Sequence, residues 1–148
     1  MSVDQSTAQD MVEIAEDGKE GYAKGETELT GSDRPELGAT FTTFSEQRAG
    51  FSKELQALAA TYGDAVRETG STAGGLHRGW MAVRDAVTGS NPESVIKTAV
   101  QGEDHTIKAY EEALEQDIAP DLRTVAQRHL TEIQTARTEL QRLLPHRD

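Results

Sequence analysis

From Leu37 to Tyr62 the chain repeats one rhythm without a break: Leu37, Phe41, Phe44, Arg48, Phe51, Leu55, Leu58 and Tyr62 are spaced by alternating steps of four and three. That period places every member on one face of an α-helix, and a face held apolar for so long must pack against other helices. One member is an arginine. The rhythm recurs in Ile96, Val100, Glu103, Ile107, Tyr110 and Leu114, and again in Leu122, Ala126, His129, Ile133, Ala136, Leu140 and Leu143. A looser face joins Met11, Ala15, Gly18, Tyr22 and Leu29. No stretch shows the period-two alternation of a half-buried strand, so the expected class is all-α.

Chain punctuation places four bundle helices at about 7–29, 34–62, 91–117 and 120–144, all in a single domain over 1–148. Asp33, Pro35 and Glu36 read as a cap, a first turn and a capping-box acid. Ser90 or Asn91 can cap the third bundle helix ahead of Pro92, and Pro120 opens the last.

A shorter helical segment is expected at about 72–88, with Leu76, Trp80, Val83 and Val87 on one face. Gly74, Gly75 and Gly79 each weaken it by about 1 kcal/mol relative to alanine, so packing must hold it. Trp80, the only tryptophan, is the expected anchor. A helix of this size spans about 25 Å, enough to return the chain from one end of a bundle to the other. The favoured architecture is therefore a ferritin-like four-helix bundle, in which a long crossover carrying the additional short helix joins parallel second and third bundle helices. A plain up-down bundle with a docked extra helix fits the same periodicity.

Arg48, Glu103 and His129 each interrupt a seam near the middle of its helix and should lie at mid-height. Gly18 marks that level on the first helix, and Glu26 leans inward nearer its end. An unpaired buried charge costs several kcal/mol, so Arg48 needs a partner. Glu103 is the natural one, because a guanidinium meets a carboxylate with two parallel bonds; His129 could complete the network. The plainer reading is a buried salt bridge that fixes helix register, and the functional one is a ligand or ion site. Di-iron bundles draw a Glu from each of two helices and Glu-x-x-His from each of the other two. Here the positions three before His77, His105, His129 and His146 hold Gly74, Gly102, Ala126 and Leu143. The "HLTE" run places His129 and Glu132 in reverse order. A metal is not expected; the alternative is an iron site built from Glu103 and His129 with Glu26 or Glu132.

Fifteen basic residues against 26 acidic ones leave a net charge of -11. That balance disfavours nucleic-acid backbones and anionic membrane surfaces. Without cysteine, disulfides and thiolate chemistry are excluded. The opening residues have neither the basic end nor the apolar run of a signal peptide, and no window matches a membrane span, so a cytoplasmic location is expected.

The run from "GSTAGGLHRGW" through "GEDHTIKAYEEAL" to "DIAP" is similar to the central signature of the PA2169-type four-helix-bundle proteins, the DUF2383 family. "EDGKEGY" and "EQRAGFSKELQAL" extend the resemblance, which covers about Asp10 to Leu143. It implies a ferritin-like bundle with the crossover topology, and no particular reaction. The signature includes His77 and Arg78 beside Trp80. These read as border residues where the crossover helix docks, or as a small anionic-ligand or partner site. The acids Glu20, Glu46 and Asp104 match family blocks; of these, Glu20 and Glu46 fall away from their seams, as surface residues do.

Two classes of function remain. The first is a non-catalytic bundle, stress-related or structural, acting as a homo-oligomer or through another protein. The scattered histidines and serines offer no triad and no catalytic constellation. The second is a ferritin-like metal protein for iron storage or carboxylate-bound iron chemistry.

Overall fold

A computed structural model of the chain describes residues 3–62, 80 and 91–144. Four long helices account for nearly all of them: α1 (Val3–Thr30), α2 (Leu37–Ala59, continued by a 3-10 turn at Ala60–Tyr62), α3 (Pro92–Leu114) and α4 (Pro120–Arg142). No strand occurs among the described residues. The expected helix at 72–88, with His77 and Arg78, lies outside them except for Trp80, which is helical and fully buried.

The punctuation works as expected at α3, where Asn91 accepts the Ser94 N–H at 3.3 Å and Pro92 begins the helix. It works differently at α2. Asp33 and Glu36 form no capping box; the helix starts at Leu37 with no side-chain cap. Ser32 supplies the turn instead, donating to the Leu29 carbonyl at 2.6 Å and accepting the Arg34 N–H at 3.1 Å. Pro35 falls in the turn before the helix, and Glu36 pairs with Arg34. Between α3 and α4 the Arg123 guanidinium donates to the Leu114 and Gln116 carbonyls, both at 2.8 Å, satisfying acceptors that the end of α3 leaves open.

Contacts at the two ends fix the direction of each helix. At one end Asp4 accepts the Ala119 N–H at 2.7 Å, and the Tyr62 hydroxyl donates to Asp121 at 2.6 Å. At the other, Leu29, Leu37, Val95, Ile96 and Leu140 share one core. Thus α1–α2 and α3–α4 are antiparallel hairpins, α2 and α3 run in the same direction, and Tyr62 and Asn91 lie at opposite ends. In cross-section α1 packs on α2 and α3, and α4 packs on α3 and α2, which leaves α2 and α3 facing across the diagonal.

The core is divided. Met11, Phe51, Leu55, Tyr110, Leu122 and Ile133 belong to one apolar cluster, and Tyr22, Leu29, Phe41, Trp80, Ile96 and Leu140 to the other. Trp80 seats its six-membered ring in a notch between α1 and α3. A Cβ added at Gly21 would lie 2.6 Å from the ring and one at Gly102 2.8 Å from it, so neither position tolerates a side chain without movement. The indole N–H donates to the Thr106 hydroxyl at 2.7 Å, and that hydroxyl donates onward to the Gly102 carbonyl at 3.0 Å. Gly18 differs: a Cβ there would meet Arg48 at 3.4 Å, an ordinary contact. Gly18→Ala is expected to be neutral or stabilising by up to about 1 kcal/mol, as helix propensity alone dictates. Gly21→Ala is expected to reverse that sign and cost about 1–3 kcal/mol through overpacking. Urea denaturation of the two variants checks the contrast.

Candidate functional site: a polar layer between two cores

Arg48 of α2 reaches across the bundle diagonal to Glu103 of α3. The side chains are 1% and 0% exposed, so this is a dry ion pair. Nη1 donates to Glu103 Oε1 at 2.7 Å and Nη2 to Oε2, the fork-to-fork arrangement that gives such a pair its direction. Nε donates to Gln47 at 3.1 Å. The Tyr22 and Phe51 rings stand beside the guanidinium, 5.4 and 5.8 Å from it to their centroids. Burial alone would lower the guanidinium pKa, but the carboxylate and nearby phenols outweigh it and hold the group charged. Gly18 leaves room on α1 for the cationic stem. Among the described residues, the Tyr22 hydroxyl is the one buried side-chain polar atom without a hydrogen bond. Burial, then the Glu103 charge, pushes its pKa well up against the opposing effect of Arg48, so the phenol stays neutral.

His129, which could have completed the network, bonds elsewhere. It is fully buried at the neighbouring level, stacked on Phe51 with ring centroids 3.8 Å apart and an interplanar angle of 12°. Its Nδ1 lies 3.1 Å from the Tyr110 hydroxyl, and its Nε2 lies 2.7 Å from Glu54 Oε1. Both ring nitrogens are therefore taken, and neither is left for Glu103. Glu54 is 37% exposed and holds Arg128 on its other oxygen. Hydrogen bonding from Arg128 lowers the Glu54 pKa, and burial lowers that of His129 and raises that of Tyr110. A carboxylate only accepts, so Nε2 carries the proton, and Nδ1 accepts from the phenol.

The alternative ligand set does not assemble. Glu103 is spent on Arg48 and His129 on Tyr110 and Glu54. Glu132 is exposed, and Glu26 is half-buried, accepting the Thr30 hydroxyl at 3.2 Å. Among the described residues no group of three or more His, Cys, Asp or Glu could hold a metal ion. Glu20 and Glu46 are exposed, as their helical phase indicated.

Several polar members are not announced as such by the seams. Tyr110 occupies a seam position whose hydroxyl the periodicity does not reveal, and Glu54 joins His129 from beside the α2 seam. Ser52 is buried, accepting from Gln56 at 2.8 Å and donating to Glu16 at 2.9 Å. On α1 Thr7, Glu13 and Asp17 are buried as well, because this helix packs on more than one side. Glu13, Asp17 and Gly21 repeat every four residues; that stripe was the available signal.

Fold and layer together define an all-helical four-helix bundle with an ion pair buried between two apolar cores. The chain belongs to the family described as "Domain of unknown function (DUF2383)", whose profile matches residues 6–116. The match stops before α4, so it covers less of the chain than the resemblance, which extends to about Leu143. No curated protein and no solved structure matches the chain. No helix among the described residues is long and apolar enough to cross a membrane.

Proposed function

We propose that this is a non-catalytic, ferritin-like helical bundle that acts in the cytoplasm by association, with itself or with a partner protein. The parallel course of α2 and α3 supports the ferritin-like grouping. The observation that carries the reading is the closed Arg48–Glu103 pair: both carboxylate oxygens are engaged by a fixed cation at the level where a di-iron bundle would place its ligands. The outer surface supports contact through charge. Val3 is the one exposed large hydrophobic residue among those described, and the chain carries a net charge of -11. Its associations are therefore polar and salt-sensitive.

Protein expressed with added iron is the test, by metal analysis, thermal melting and sedimentation over a range of salt. The expected result is no stoichiometric iron, no rise in Tm under saturating iron, and a salt-dependent association: a self-assembly that strengthens as its like charges are screened, or a complex with a basic partner that weakens. Two irons per chain with a raised Tm would replace this reading with the metal-protein one, since binding to the native state must stabilise it. A monomer under all conditions that captures no partner on cross-linking would remove association.

A further inference from the structure

We propose that the seam between α2 and α4 is a proton-sensitive clasp: one proton added to the His129 ring loosens α4 at mid-height while the Trp80 seat between α1 and α3 stays closed. The geometry is polarised in one direction. The Tyr110 O–H donates to Nδ1, and the Nε2 N–H donates to Glu54. A second ring proton must go on Nδ1, where it meets the phenolic hydrogen. Tyr110 would then have to turn its O–H away inside a site where the residue is 1% exposed, leaving a buried donor unmet. The new charge would also sit on a ring that is 0% exposed, a desolvation cost that its stacking on the Phe51 face offsets only in part.

The surrounding charges do not rescue it. From α2, Glu54 favours the imidazolium, but its carboxylate is half-exposed and shared with Arg128 of α4 itself. Arg48 of α2 opposes a second cation, and Glu103 of α3 is already committed to that arginine. Glu132 of α4 is exposed. On α1 the buried acids Glu13 and Asp17 share the Gly21 stripe, and the residues in the same core as Phe51 and Tyr110 are the apolar Ala8, Met11, Val12, Ile14 and Ala15. Opening the seam exposes both Tyr110 and the ring to water and removes the conflict.

The ring's pKa is lowered in the closed state. Closure is therefore complete above the ordinary histidine value of about 6.5 and is lost as pH falls from there towards the closed-state value. Glu54, held below its own usual value, stays ionised through that window.

Amide hydrogen exchange on the full chain, corrected for intrinsic rates, tests the clasp. On lowering pH from about 7.5 to about 5, opening in the middle of α4 should rise by up to about tenfold per pH unit. Amides of α1 around Gly21 and Trp80 fluorescence should hold steady. His129→Gln should abolish the pH response of α4. An equal response in His129→Gln, or an equal rise in α1, overturns the clasp. Should His129→Gln fail to fold, ring titration by NMR in the unaltered chain decides. A ring in the Nε2–H tautomer titrating below the ordinary value supports the clasp, and one titrating at or above it overturns it.

Discussion

Arg48→Met is expected to destabilise the folded chain by about 3–5 kcal/mol, the cost of leaving a buried carboxylate without its counter-charge. Glu103 is 0% exposed, so water does not reach it in compensation. The size of the loss reflects the abandoned acid more than the worth of the pair, since taking two ions out of water consumes most of their attraction. The double variant Arg48→Met with Glu103→Leu is therefore expected to recover most of the stability, and to equal or exceed the unaltered chain if the replacements fill the space. Chemical denaturation of both single variants and the double closes the cycle. A single loss below about 1 kcal/mol, as for a solvated surface pair, would contradict a dry layer.

Trp80→Ala is expected to cost about 3–5 kcal/mol, by removing the largest fully buried side chain and leaving a cavity. The loss should exceed what area alone gives, because two glycines shape the notch. Gly21 and Gly102 have no side chains that can move in to fill the space, and Thr106 loses the N–H it accepts. Trp80→Phe separates these effects: it retains most of the ring volume and gives up the hydrogen bond, so it should cost clearly less. Denaturation midpoints of the two variants measure the difference. Equal losses would mean that the hydrogen bond rather than the packing holds the seat.

Much of this architecture is legible from spacing alone. The seams of α2, α3 and α4 identify their buried faces because each helix packs mainly on one side, and the four-three rhythm records that side directly. Arg48 and Glu103 were readable for the same reason: a charge inside a strict seam has nowhere to go but towards another charge. His129 was readable as buried but not as bonded. Its distance from Glu103 depends on the axial offset between α3 and α4, which no periodicity within one helix encodes. Glu54 flanks its seam and looks like any solvated glutamate until His129 and Arg128 are placed beside it. On α1 the single-face reading failed because two sides are buried, and Glu13 and Asp17 belong to the second. At the start of α2, Ser32 turned the chain before Asp33 could cap it, a competition between neighbours that composition does not resolve.

The two hairpins explain why charges are buried here at all. Each could present a greasy, nearly featureless side to the other, and hydrocarbon is indifferent to a slip of one helical turn, about 5.4 Å. Arg48–Glu103 and Glu54–His129 both join one hairpin to the other. A slipped docking would strand Arg48, Glu103 and His129 at once, so the polar bonds act less as glue than as alignment marks that disfavour the other offsets.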